Sequence, residues 1–264
     1  MSKIINPRDK KADNTLDISS PLQRRSFIKY AGAGAALSAL ILSGCNDDDD
    51  GKFNGVVYQP PTPPPNPNEI PAVNLGSGDT GILNYAYALE QLEAAFYDML
   101  VKSTTFNTTF TNATERAVLT DIRDHEVAHR DFFKSVLGNA AIPALTPDFS
   151  LVNMADRNVV LMAARTFEDV GVAAYNGAGK LLTMATNLAL AGKIVSVEAR
   201  HAAEIREMLK QNTFAARGGA SPKPGDENII NDKGLDLALM PNEVLALAKP
   251  FIKNDINASS LPTS

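Results

Sequence analysis

Glu126-Val127-Ala128-His129 and Glu198-Ala199-Arg200-His201 are the two stretches on which the reading of this chain turns. Each sets a carboxylate and an imidazole three residues apart, so on a helix both leave from the same face. Each also follows a helical stretch with Glu and Tyr seven residues apart, Glu90 and Tyr97 before the first, Glu168 and Tyr175 before the second. One Glu-x-x-His is weak, because both residues are common on helix surfaces. Two copies, each paired with an inward-facing Glu, are much stronger. Four carboxylates and two imidazoles arranged in this way can hold two metal ions inside a four-helix bundle, which points to redox chemistry rather than a plain helical scaffold.

Working outward from these residues, apolar positions three and four apart mark four amphipathic helices. The first, roughly 79–102, carries the stripe Leu83, Ala86, Glu90, Glu93, Tyr97, Leu100. The second, roughly 112–137, carries Leu119, Ile122, Glu126, His129, Phe133, Val136 and stops at Gly138, a helix-terminating residue. The third, roughly 154–177, has Leu161, Ala164, Glu168, Gly171, Tyr175, Ala178; the fourth, roughly 187–211, has Ala191, Ile194, Glu198, His201, Ile205, Met208. The first and third stripes coincide at Leu, Ala, Glu and Tyr, and the second and fourth at Ile, Glu and His. The chain therefore reads as a duplicated helical hairpin. A carboxylate in the middle of an apolar face is costly without a partner, and metal coordination would supply one.

Turns near residues 109 and 184 bring the Glu-bearing and Glu-x-x-His helices level within each hairpin. The connection from Gly138 to Asn153, with Pro143 and Pro147, lacks helical periodicity. Its 14 or so residues can reach about 45 Å, more than the roughly 36 Å length of a 24-residue helix. It can therefore cross the bundle and let the third helix run parallel to the second. Residues 212–234, rich in Gly, Pro and Asn, read as an excursion, and Pro241 to Lys249 as a short amphipathic helix packed on the bundle.

The first 76 residues read differently. Gln23-Arg24-Arg25-Ser26-Phe27-Ile28-Lys29 resembles a twin-arginine export motif centred on Arg24 and Arg25. The apolar run Ala31 to Leu42 follows, too short for a membrane span of about 20 residues. It ends in Leu42-Ser43-Gly44-Cys45, which resembles a lipoprotein cleavage box with Cys45 as the lipidated residue. As the chain's single cysteine, Cys45 can form no internal disulfide. Asp47 to Asp50 and the Pro-rich run Pro60 to Pro67 make a semi-rigid stalk. That acidic run resembles a surface-export signal, with a plain solvated spacer as the alternative.

The expected layout is a signal peptide at 1–44, a lipidated cysteine and stalk at 45–76, the helical domain at 77–252 and a flexible tail at 253–264. Cleavage before Cys45 leaves 18 basic and 27 acidic residues, a formal charge of −9. That balance argues against nucleic acid as a partner. The expected partners are instead the export machinery and, through the acyl chain on Cys45, a membrane of the cell envelope, with placement on an outer membrane or cell surface left open.

The inward set resembles the ferritin-like di-metal carboxylate proteins, in which two helices give one Glu each and two give Glu-x-x-His. Leu89 to Tyr97, Phe167 to Tyr175, Glu198 to His201, and the tail Gly234-Leu235-Asp236 with Pro241 to Leu245 resemble the exported ferritin-like domain family that includes desiccation-related proteins. The likeness covers about residues 77–252. It implies an all-α, up-down-down-up four-helix bundle with a long crossover between the second and third helices and a short C-terminal helix. It also implies one half-site of Glu90, Glu126 and His129 and another of Glu168, Glu198 and His201, holding two ions of iron or manganese. Glu93 is an alternative to Glu90, which the repeat favours because Glu90 aligns with Glu168 and Glu93 with Gly171. Tyr97 and Tyr175 resemble tyrosines that hydrogen-bond Glu ligands across a bundle, aromatic packing being the alternative. The implied activity is an oxidoreductase acting on dioxygen or peroxide; the alternative is a non-catalytic, metal-stabilised envelope protein.

Overall fold

Asn112 and Asp156 set two of the helix starts by capping. The Asn112 side chain accepts from the N–H of Thr114 at 2.8 Å, and Asp156 accepts from Asn158 and Val159 at 2.9 and 3.1 Å. The computed structural model describes residue 70 and residues 72–218 and 222–263. Arg24, Arg25, Cys45 and the acidic and Pro-rich runs lie outside the described residues.

Four long helices form the domain: α1 (Gly78–Lys102), α2 (Ala113–Leu137), α3 (Arg157–Ala178) and α4 (Ala185–Leu209). The predicted boundaries hold to within three residues. Among the described residues no helix is long and apolar enough to cross a membrane. A single helical turn, Phe106–Thr109, sits in the α1–α2 connection, and α2 ends at Gly138, whose φ of +53° suits glycine. The helix α5 (Pro241–Ala248) begins with a proline, and Glu243 accepts from the Met240 N–H at 2.8 Å.

Helix directions follow from the cross-links at the centre. Tyr97 on α1 reaches Glu168 on α3, while Tyr175 on α3 reaches Glu90 on α1. The later residue of each helix meets the earlier of the other, so α1 and α3 are antiparallel. The same holds for α2 and α4, where His129 approaches Glu198 and His201 approaches Glu126. With α1–α2 and α3–α4 as antiparallel hairpins, α2 and α3 run the same way, and the topology is up-down-down-up. The crossover, residues 138–156, spans the bundle length as its reach required.

Polar staples hold that crossover in place. Buried Asn84 donates to the carbonyls of Leu75 and Ala140 at 3.1 and 2.9 Å and accepts from Ile142 N–H at 2.9 Å. Gln91 accepts from Leu145 N–H at 2.8 Å. Beneath it, Phe96, Phe149 and Phe167 pack edge to face, and Phe251 closes on Phe167 with centroids 4.8 Å apart. Such a cluster joins α1, the crossover, α3 and the segment after α5.

Two segments depart from the sequence reading. Residues 73–76, expected in the stalk, and the expected flexible tail are joined as a parallel pair, β1 (Val73–Asn74) with β2 (Ile256–Asn257). Val73, Leu75 and Leu261 are buried there, and Val73 N–H donates to Asp255 O at 2.7 Å. Two-residue strands carry no readable periodicity, and burial of these few side chains is what pins them. Val136, placed on the inward stripe, is instead 40% exposed near the end of α2.

The excursion after α4 is anchored by a buried ion pair. Arg206 donates through Nε to Asp169 Oδ1 at 2.9 Å and through a second nitrogen to Oδ2, both side chains being about 1% exposed. The same guanidinium binds the carbonyls of Glu227 and Asp226, and Gly225 N–H donates to Asp169 at 2.9 Å. At Gly177 the chain before α5 presses so close that a Cβ would stand 1.8 Å from the Leu239 carbonyl oxygen. Only glycine fits there.

Asp169→Ala is expected to destabilise the domain by about 3–5 kcal/mol in urea unfolding, because it strands a buried guanidinium. A second prediction concerns pH. Asp79, at the start of α1, accepts from Thr183 N–H and hydroxyl, Met184 N–H and Asn187. Desolvation, the largest single influence, would raise its pKa, yet these bonds together hold it down to about 2 from an ordinary 3.8. A depressed carboxylate pKa adds stability above the unfolded value that vanishes below the folded one. The stability gap between wild type and Asp79→Ala is therefore expected to be constant from neutrality to just above pH 3.8, then to close towards pH 2.

Candidate metal centre

Glu90 on α1, Glu126 and His129 on α2, Glu168 on α3, and Glu198 and His201 on α4 meet in the middle of the bundle. The four carboxylates have zero exposure, His201 5%. His129 Nδ1 lies 2.8 Å from Glu198 Oε1 and 3.4 Å from Glu90 Oε2; His201 Nδ1 lies 2.7 Å from Glu126 Oε1 and 3.6 Å from Glu168 Oε2. Each hairpin thus sends its imidazole to a carboxylate of the other.

These short contacts are not aligned as hydrogen bonds. Ten buried side-chain atoms among the described residues lack a hydrogen-bond partner, and eight belong to these six residues: Glu90 Oε2, Glu168 Oε2, both oxygens of Glu126 and Glu198, and Nδ1 of both histidines. Lone pairs aimed at shared points, rather than at donors, produce such a pattern, and buried polar atoms are otherwise nearly always satisfied.

The free atoms also sort themselves. Glu90 and Glu168 have one oxygen each available, since Tyr175 donates to the Oε1 of Glu90 and Tyr97 to that of Glu168, the latter at 2.5 Å. Glu126 and Glu198 have two. Donor atoms within 4.8 Å of one another form two foursomes that could hold a metal ion: Glu90, Glu126, His129, Glu198 and Glu126, Glu168, Glu198, His201. Glu126 and Glu198 belong to both. The resemblance implies one hairpin per half; the structure brings the same six residues together, with Glu126 and Glu198 each within reach of both groups of donors.

Without a cation, protons are the only positive charge the chain itself brings. Burial pushes Glu198 well up from the usual carboxylate range, and repulsion from Glu126 and Glu90 adds to it. Burial raises Glu168 and takes Glu90 to about 7, with His201 and His129 respectively opposing. Glu126 goes the other way: desolvation would raise it, but His129 and His201 hold it at about 2. Burial works against charge on the imidazoles, yet the carboxylates raise both, His201 to about 11. Four carboxylates thus outnumber two imidazolium ions, and the interior keeps the remainder as neutral acids.

Glu93 is buried but belongs to neither foursome. It sits against α3, where a Cβ on Gly171 would lie 3.0 Å from its Oε1 and 3.4 Å from Glu198 Oε2. Desolvation, reinforced by Glu198 and the other carboxylates, raises its pKa strongly. The repeat alignment, which pairs Glu93 with glycine, was the signal that separated it from Glu90. His125 precedes Glu126 and falls off the inward stripe, which reads as a histidine either on the surface or touching a ligand rather than serving as one; in the structure its Nδ1 stands 2.9 Å from Nε2 of His201.

Two Glu-bearing helices and two Glu-x-x-His helices around one buried carboxylate–imidazole cluster define a class, the four-helix bundles whose interior groups could hold metal ions. A family model for the ferritin-like domain matches residues 78–211, and the chain belongs to that family. No curated protein matches the chain.

Tyr97→Phe would free Glu168 Oε1 in a buried setting. A loss of about 1–3 kcal/mol is expected in the metal-free protein, measured by urea unfolding in chelator.

Proposed function

We propose that the cluster binds two metal ions, iron or manganese, and that the protein is a cell-envelope oxidoreductase for dioxygen or peroxide. The observation that carries this reading is the set of eight buried, unpartnered donor atoms sorted four and four. Glu126 and Glu198 would bridge, Glu90 and Glu168 would bind through their single free oxygens, and His129 and His201 would each cap one ion through Nδ1. Six carboxylate oxygens and two imidazole nitrogens suit iron or manganese better than softer metals. A pair of such ions, when bound, supplies two adjacent one-electron centres, which ferroxidase-like or catalase-like reactions require.

The protein's own part is to orient and to exclude water. Tyr97 and Tyr175 hold Glu168 and Glu90 by one oxygen, leaving the other aimed inward. The apolar stripes above and below keep the carboxylates out of water, so that ion binding relieves a cost already built into the fold. The twin-arginine resemblance at Arg24 and Arg25 and the box at Cys45 support export and lipid anchoring. Proteins with such signals cross already folded, which would let the ions be loaded beforehand.

The near-complete enclosure of the cluster favours a second reading, in which the ions stabilise the bundle and no turnover occurs. Purified protein is expected to contain two equivalents of iron or manganese by elemental analysis, to oxidise iron(II) or consume peroxide above background, and to melt lower after chelation. An ion at a thousand times its Kd would add about 4 kcal/mol. A Glu126→Ala/His201→Ala double variant should lose metal and stay folded. Bound metal with background turnover would select the second reading, and a wild type binding neither metal would sink both.

A further inference from the structure

His125 stands outside the cluster yet touches one of its members. Its Nδ1 is 2.9 Å from Nε2 of His201, and the two rings stack at 5.1 Å with 11° between their planes. His201 turns its other nitrogen, Nδ1, to Glu126 at 2.7 Å. The buried ring therefore links the cluster to a histidine exposed on α2. His129 has no protein hydrogen-bond partner for its Nε2 among the described residues. In a site that otherwise repeats itself by hairpin, this is a break in the symmetry.

We infer that His125 is a positioning residue for the ion position formed by Glu126, Glu168, Glu198 and His201, and that it makes the two positions unequal in affinity. The inference rests on the reading of the cluster as a two-ion site. An imidazole that offers the Nδ1 lone pair to a cation carries its proton on Nε2. That N–H needs an acceptor, and Nδ1 of His125 is the one within reach. His125 in turn keeps its own proton on Nε2. The contact thus selects one tautomer of His201, holds its ring plane through the parallel stack, and makes Nδ1 a stronger donor. At the other position, His129 must do without this help.

Full-length protein freed of metal and titrated with manganese(II) by calorimetry tests the idea. Wild type is expected to bind two equivalents in two distinguishable steps. In His125→Leu, which cannot accept the hydrogen bond, one step should weaken by about 10–100-fold while the other stays. His125→Asn places a carbonyl oxygen near where Nδ1 stood and should restore most of the loss. All three proteins should stay folded without metal, with His125→Leu melting somewhat lower because the His201 N–H loses its acceptor, and a loss of stability without any change in the two binding steps would count against the inference. Two unchanged steps in His125→Leu would overturn the inference alone, as would equal weakening of both steps without rescue by Asn. A wild type that binds no manganese or iron overturns the two-ion reading and this inference with it.

Discussion

Four carboxylates of zero exposure share one interior, and the rest of the structure is arranged around that cost. Burying a single ionised carboxylate without compensation is prohibitive. Here the chain supplies two imidazoles and two phenols, and each is spent on a residue of another helix. The bundle's helix directions, its level register and its two-fold internal likeness all follow from bringing those groups to one point. Shift α3 by one turn along α1, and both tyrosine bonds break together.

The second organising element is what encloses this centre. The crossover is stapled to α1 by Asn84 and Gln91 and to the segment after α5 by backbone bonds such as Asp148 N–H to Phe251 O at 2.8 Å. On the opposite side Asp169 and Arg206 hold the excursion against α3 and α4. Asp169 directly follows Glu168, so one turn of α3 serves the cluster on one side and the enclosing loop on the other. Irregular segments thus act as walls, and the helices need only present the chemistry.

Much of this was legible in the sequence. The Glu and Glu-x-x-His residues fall on a 3.6-residue period among apolar neighbours, and that period survives into the structure with boundaries nearly unchanged. Which carboxylates stand within reach of both groups of donors was not legible, because it depends on how two hairpins face each other, and neither hairpin encodes that alone. His125 lies off the stripe, and only a ring on α4 decides between a surface position and contact with a member of the cluster. The pairing of Val73–Asn74 with Ile256–Asn257 was hidden for a different reason: contacts so far apart in the chain leave no local pattern, and strands this short leave no alternation.

That last pairing has a geometric consequence. The polypeptide enters the helical domain at Val73 and reaches its closing strand at Ile256 on the neighbouring ladder position, so its two portals lie side by side at one corner. A domain built this way resembles a cartridge with both leads on the same edge. It can be spliced into a host loop, or its ends joined and new ones opened elsewhere, with only a short linker and no demand on the buried centre.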